Sequence, residues 1–425
     1  MREMKDSGIE WIGAIPEGWK VSRIKQLFSE VNERCENGEN YTLLSVSEYY
    51  GVAPKSERIS DDDMLTHAET LDGYKICKEN DLVMNIMLAW KRALGVSEYT
   101  GIVSPAYCIY QGKQNMCTKY FHYLFRTDMY ANLFKQYSTG IIDSRLRLYP
   151  DKFLALKCQV PPIDTQCRIA DYLDRKCSQI DTIIARQQEV IEKLKTYKLS
   201  VITEAVTKGL NPNVPMKDSG VEWIGEIPEH WTMLKLKYAS SILRGKFNHR
   251  PRNDPAYYDG NHPFVQTGDV ARANKYIKNY SQTLNEKGYA VSKEFPANSI
   301  CMTIAANVGD VAILTFDACF PDSVVGFVPS DNIAWNYLYY VLTAMKKQFV
   351  RNAIISTQLN LNIEIIKEEF IPVAPLHIQE QISRFLDDKC FAIDRTISAK
   401  QCVIDKLTDY KKSLIYEVVT GKKEV

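Results

Sequence analysis

"IDTQCRIADYLDRKCSQIDTIIARQQEVIEKLKTYKLSVITEAVT" (Ile163–Thr207) places apolar residues at alternating spacings of four and three. Leu173, Cys177, Ile180, Ile184, Ile191, Leu194, Val201 and Ala205 fall on one stripe, with Gln187 and Lys198 also on it. That period is the heptad of a coiled coil. Pro161-Pro162 excludes helix upstream, and the turn-forming "GLNPN" from Gly209 stops it downstream. At 1.5 Å per residue the segment predicts a rod of roughly 60 Å, whose stripe cannot be buried alone. The partner is in the same chain. Residues 374–420 repeat the pattern at an offset of 213 as Leu386, Cys390, Ile393, Ile397, Ile404, Leu407, Leu414 and Val418, with Lys400 and Lys411 at polar seam positions. Two long antiparallel helices facing each other are therefore expected, their polar seam residues fixing the register.

Working outward, each helix belongs to a larger repeat. "MKDSGIEWIGAIPEGW" (Met4–Trp19) returns as "MKDSGVEWIGEIPEHW" (Met216–Trp231), identical at 13 of 16 positions. The order is lead-in, variable block, helix, twice over, so repetition decides the architecture. Within the blocks, "YTLLSVSEYY", "DLVMNIML", "GIVSPAYCIY", "PFVQTGDV", "SICMTIAA", "DVAILTF" and "SVVGFVP" read as strands. "TKYFHYLFRTDMYANLFKQY" and "NIAWNYLYYVLTAMKKQFVRN" read as amphipathic helices. The fold class is mixed α/β (α+β) with a pseudo-twofold internal repeat. The segments are 1–160 and 211–372 (globular, each with its lead-in) and 161–210 and 373–425 (helical). Trp11, Ile12, Trp223 and Ile224 of the lead-ins are expected to pack at the rod ends.

Composition excludes more than it selects. No run of eighteen apolar residues suggests a membrane span, and the start "MREMKDSG" has no apolar signal core, so a cytoplasmic location is expected. Eleven cysteines at irregular spacings read as reduced thiols, and six scattered histidines form no metal arrangement. There is no G-x-G-x-x-G, no G-x-x-x-x-G-K-[ST], and no Asp/Asn/Ser-Pro-Pro-aromatic string to grip a target amine. A metal-dependent nuclease remains an alternative, through Asp151 with Asp174 and Lys176, or Asp322 with Asp387 and Lys389. However, Asp174 and Asp387 lie on the heptad helices, where Asp and Lys ordinarily form the solvated face. A pure coiled-coil scaffold is a third reading.

Nucleic-acid contact has better local support, although the net charge is only +1. In the second block "RGKFNHRPR" groups Arg244, Lys246, Arg250 and Arg252 around Asn248 and His249. Arginines can neutralise phosphates, and Arg and Asn can pair bidentately with base edges. Gln266, Thr267 and Asp269, then Thr357, Gln358 and Asn360, add amides, hydroxyls and a carboxylate beside expected strands. The first-block candidates are Ser47, Tyr49 and Tyr50; Trp90, Lys91 and Arg92; and Ser138, Thr139, Arg145 and Arg147. "STGI" and "STQL" fall at matching places in the two blocks.

With the lead-in, "MNIMLAWKRALGVSEYTGIVSPAY", "FVQTGDV" and "PLHIQEQISRFLDDKCFAID" carry a resemblance along essentially the whole chain. The sequence resembles the specificity subunits of type I restriction-modification systems. The resemblance implies two target recognition domains, each reading half of a bipartite double-stranded DNA site, joined by an antiparallel coiled-coil spacer. It implies a subunit that catalyses nothing and holds no cofactor. It also implies docking of two methyltransferase subunits, which bind S-adenosylmethionine and methylate adenine N6. ATP- and Mg2+-dependent translocase/nuclease subunits would join them. Thr165 departs from the acidic residue usual before the Gln, in a segment that is architectural.

Overall fold

The computed structural model describes residues 3–57, 71–249, 251–305, 307–355 and 359–425, without the side chains of 354, 355, 359 and 360. The chain divides into two units, one of Met1–Gln187 with Cys402–Val425 and the other of Gln188–Gln401. The division falls inside both long helices, so each unit holds a globular part and a segment of each helix.

The first long helix spans Ile163–Lys208 and the second Leu376–Val419. They pack together. Leu173, Ile180, Ile191, Leu386, Ile393 and Ile404 are buried, while Ile184, Leu194, Ile397 and Leu407 are half-buried. In the first unit Lys411 Nζ, late in the second helix, bonds both oxygens of Asp181, early in the first, at 2.7 Å. In the second unit Lys198 does the same to Asp394, at 2.8 and 2.7 Å. Lys198 and Lys411 are two of the three seam lysines. They sit at matching positions, and each unit thus sets an early helical segment beside a late one.

The Lys198–Asp394 side chains are 22% and 23% exposed, against 28% and 55% for Lys411–Asp181. Solvent screening therefore weakens the second pair more. A double-mutant cycle by urea denaturation is expected to give a coupling above about 1 kcal/mol for Lys198–Asp394 and about 0.2–1 kcal/mol for Lys411–Asp181. Equal couplings would contradict this ranking.

In the first unit the lead-in folds as a hairpin, Met4–Asp6 against Ala14–Pro16. Strand Lys20–Arg23 then pairs with Lys157–Val160, the strand that feeds the first long helix. An antiparallel four-stranded sheet follows, in the order Phe28–Val31, Tyr107–Gly112, Leu82–Asn85, Leu94–Val96. Hairpin Leu44–Ser47/Gly51–Pro54 lies on a small apolar core containing Leu44, Val46, Val83 and Ile109. The sequence "TKYFHYLFRTDMYANLFKQY" forms two helices, Thr118–Phe125 and Asp128–Tyr137, where one was expected. Thr127 is the reason: its hydroxyl accepts from Tyr130 N and restarts the helix as an N-cap.

The second unit repeats the frame around a different block. Met216–Asp218 pairs with Glu226–Pro228, and Thr232–Lys235 with Phe370–Val373. Its larger sheet runs Ser240–Arg244, Val324–Pro329, Ile300–Thr303, Val311–Leu314, Tyr276–Ile277. A second sheet runs Gln282–Leu284, Tyr258–Phe264, Ala318–Cys319, Glu294–Phe295. "PFVQTGDV" is a strand only to Phe264. From Thr267 it is a short helix to Arg272, because Gln266 and Asp269 cap its first turn reciprocally.

Candidate nucleic-acid interface

In the first unit, the hairpin Leu44–Ser47/Gly51–Pro54 turns through Glu48–Tyr50. Ser47 Oγ accepts from Tyr49 N at 3.1 Å, which leaves the Tyr49 ring 83% exposed. Tyr50 Oη meets Ser45 Oγ at 2.9 Å. Beside the hairpin, Ala89–Lys91 form a 3-10 turn that ends on Arg92 in the left-handed region, at φ 68°. Trp90 is half-buried, donates Nε1 to Met87 O at 3.1 Å, and has Lys135 Nζ 4.8 Å from its ring centre. It is both core and surface. Arg92 is paired with Asp128. Ser47, Tyr49, Tyr50 and Lys91 come together along a cleft of about 470 Å³, which Lys55, Tyr74 and Tyr107, not singled out by the sequence, also line.

The last first-block group forms a loop closed by backbone bonds between Thr139 and Arg147, at 2.9 and 3.0 Å. Ser138 Oγ donates to Phe134 O at the helix end, whereas Arg145 and Arg147 are exposed. Leu148 N donates to Ile86 O at 2.9 Å, which ties this loop beside the Trp90 turn. Both groups are thus joined through neighbouring backbone.

Arg126 was invisible to pattern reading, yet it links the hairpin and the turn. The residue is half-buried, and its Nη1 donates to Arg92 O and Leu94 O at 2.7 Å and to Ser47 O at 3.3 Å. Nη2 donates to Glu48 O and Tyr49 O at 3.0 Å. Burial, then the nearby Arg92 charge, lowers its pKa to about 10, so it remains a cation at neutral pH.

In the second unit the basic loop is built on Phe247, buried with Phe264, Leu284 and Cys319. It is therefore an anchored loop. Arg244 Nε donates to Asp322 O at 2.5 Å, and Arg252 Nη2 reaches both Asp322 carboxylate oxygens at 2.6 Å. His249 stacks on Tyr257 at 3.8 Å and meets Asp254 at 3.0 Å. Lys246 and Asn248 are exposed. Arg250, Thr357 and Gln358 lie outside the described residues, as does the side chain of Asn360.

Gln266 Nε2 donates to Gln282 Oε1 at 2.8 Å, and Thr267 is half-buried. Asp269 is 5% exposed and its oxygens are occupied: they accept from Gln266 N (2.9 Å), Ser281 Oγ (3.1 Å) and Arg272 Nη2 (2.6 Å). Its work here is capping the helix. Gln266 and Asp269 thus come together, and so do Arg244 and Arg252, the latter pair on the main-chain carbonyl and the carboxylate of Asp322.

Comparison with known proteins bears on what such a pair of units is. Residues 228–401 match the family model of the type I restriction modification DNA specificity domain. The type I restriction enzyme MjaVIII specificity subunit of Methanocaldococcus jannaschii is 23% identical over 96% of this chain and 93% of its own. A chain from a structure described as "Structural basis underlying complex assembly and conformational transition of the type I R-M system" shares the fold. Its TM-score is 0.71 at 14% identity, over 95% of this chain and 98% of that one. The HsdS subunit from Thermoanaerobacter tengcongensis matches at a TM-score of 0.50 and 14% identity, over 96% and 98%. Along nearly its whole length the chain is thus similar to type I restriction-modification specificity subunits, and residues 228–401 match their DNA specificity domain.

The specificity subunit is the non-catalytic part of a type I enzyme, which removes the nuclease alternative. Three of the four carboxylates behind that alternative have structural partners. Asp174 accepts from Tyr123 Oη at 2.5 Å and meets Lys119 Nζ at 2.7 Å. Asp387, its counterpart 213 residues on, accepts from Tyr340 Oη at 2.5 Å and meets Lys275. Asp322 holds Arg252. The expectation of a solvated helix face is thus corrected at Asp174 and Asp387: both are half-exposed and clamped by a tyrosine and a lysine of the globular part. The lysines come from unrelated elements, a helix in one unit and a loop in the other, yet the trio recurs. Among the described residues no group of three or more His, Cys, Asp or Glu is placed to hold a metal, and no helix is long and apolar enough to cross a membrane.

Proposed function

We propose that the specificity subunit reads a bipartite double-stranded DNA site, one half with residues 1–160 and the other with residues 211–372. The helical segments 161–210 and 373–425 act as the spacer that sets the gap. They also dock two methyltransferase subunits, which carry S-adenosylmethionine and methylate adenine N6. Translocase/nuclease subunits supply the ATP- and Mg2+-dependent cutting. The observation that carries this reading is a duplicated frame holding two dissimilar surfaces. The clamp on Asp174 recurs on Asp387, while the hairpin-and-turn surface of the first unit has no likeness to the Arg244–Arg252 loop of the second. Such a chain suits one task performed on two different targets. A near-neutral chain is consistent with partners that supply part of the phosphate neutralisation.

Methylation motifs sequenced from cells carrying the whole operon test the reading. A two-part motif is expected. Lys91→Ala should weaken or relax one half only, and Lys246→Ala the other. Each lost phosphate contact should lower the salt-dependence slope by about 0.9, and each lost base contact should reduce discrimination by about 1–3 kcal/mol. A continuous motif, or both halves changing with either variant, contradicts the proposal.

A further inference from the structure

We infer that Arg126 is a positioning residue for base recognition in the first unit: its guanidinium holds the Tyr49 hairpin and the Trp90–Arg92 turn in one fixed relation. The inference rests on the proposed reading that these two segments face DNA. Three of the five bonds go to the hairpin carbonyls of Ser47, Glu48 and Tyr49, and two to the carbonyls of Arg92 and Leu94. None goes to a carboxylate, so the charge is not there to neutralise another. Burying a cation is costly unless every N–H is satisfied, and an apolar side chain would fill the same space without that cost. What an apolar side chain could not do is fix two separate backbone segments by direction as well as distance.

The choice of arginine follows from its shape. Two nitrogens of one rigid plane point outward in a fork, so one group reaches carbonyls from both segments. A lysine presents its donors from a single atom, so it lacks the second nitrogen that holds Glu48 O and Tyr49 O while the first holds Arg92 O and Leu94 O. The carbonyls held are those next to the side chains that would face a base or phosphate: Tyr49 on one segment, Lys91 and Arg92 on the other. A shift of about 1 Å between such segments is enough to spoil directional base contacts.

The test uses the complete complex of specificity and methyltransferase subunits, acting on a plasmid library with both half-sites randomised. Sequencing the methylated products gives base discrimination at each position. Arg126→Gln and Arg126→Lys are both expected to lower discrimination about ten-fold at one or more positions of the first unit's half-site, and to leave the other half within about two-fold. A purely structural role predicts a uniform fall in methylation with unchanged preferences, and that result would overturn the inference. If Arg126→Gln yields no folded complex, Arg126→Lys decides by the same ratio. Lys91→Ala and Tyr49→Ala separate the two levels of argument. Should they relax the first half-site while both Arg126 variants keep full discrimination, the positioning role is wrong and the reading stands. Should neither of them alter either half-site, the reading of this surface is wrong, and the inference falls with it.

Discussion

Replacing Trp19 with alanine is expected to destabilise the first unit by about 3–5 kcal/mol, the range for deleting a fully buried tryptophan. Trp19 has no exposed surface, and it belongs to one core with Val418 and Val419 at the end of the second long helix. The approach is close. A Cβ on Gly421, which ends that helix at φ 75°, would lie 3.1 Å from the Trp19 ring and clash with Pro16. Tyr120 completes the joint: its ring meets Trp19 edge-on at 6.3 Å, and its hydroxyl donates to Val419 O at 2.9 Å. The second unit repeats the joint, with Trp231 against Gly209 (φ 76°) and Tyr337 Oη donating to Val206 O at 3.2 Å. Trp231→Ala should therefore cost a similar amount in its own unit. Because two units need not unfold together, amide exchange at the helix ends should accompany urea denaturation. Trp19→Ala should release protection around residues 414–421, and Trp231→Ala around 202–209. Trp11→Ala should cost less, since Trp11 is only half-buried and lies edge-on against Tyr130 at 5.3 Å. Equal losses from Trp11 and Trp19 would contradict this account of the lead-in.

That result would also refine what the repeat means. The sequence marks the lead-in as structural and singles out Trp11, Ile12, Trp223 and Ile224. Ile12 and Ile224 share the cores of the helix ends, with Trp11 and Trp223 packed against them, and Trp19 and Trp231, which the sequence did not single out, approach the helix-ending glycines directly. The polar residues of "MKDSG" serve the hairpin itself. Asp6 and Asp218 accept from Gly8 N and Gly220 N, and Lys5 and Lys217 donate to Glu17 O and Glu229 O. A motif that looks chemical is a turn that holds its own shape.

The long helices are legible because a heptad is a local property: Leu173 to Ala205 lie on one face whatever surrounds them. The same holds for strands with a short apolar run, such as Leu82–Asn85. Boundaries set by a side chain are harder to read, as at Thr127 and at the Gln266–Asp269 cap. The candidate interface was least legible of all. Arg126 bonds carbonyls 32 to 79 residues away, and the Tyr123–Asp174 bond spans 51. Backbone acceptors carry no residue identity, so no pattern of side chains marks them. Arg252 read as a phosphate contact because its sequence neighbours are basic, whereas its nearest charge in space is Asp322.

Acid should weaken the first unit before its carboxylates titrate, and His122 is the reason. The residue is half-buried, and Nδ1 accepts a hydrogen bond from Val96 N at 3.2 Å, an arrangement suited to the neutral form. Burial first, then the cations Arg126, Lys119 and Lys411, lower its pKa to about 3. The unfolded chain takes up this proton near the ordinary histidine value of about 6.5. Hence the unfolded state binds more protons between about pH 6.5 and 3, and stability falls as pH is lowered through that window. It is fully present above the window. The slope for one such group approaches 1.4 kcal/mol per pH unit. Urea midpoints at pH 7, 6 and 5 should therefore fall steeply for the native chain. In His122→Gln, whose amide oxygen can still accept from Val96, they should fall much less; parallel slopes would refute the assignment. Location adds a functional consequence. Val96 closes the Leu94–Val96 strand, and Leu94 O is one of the carbonyls held by Arg126. Loosening that strand frees the turn side of the proposed reading surface, so discrimination at the first half-site should decline in acid ahead of the second, and His122→Gln should remove the difference.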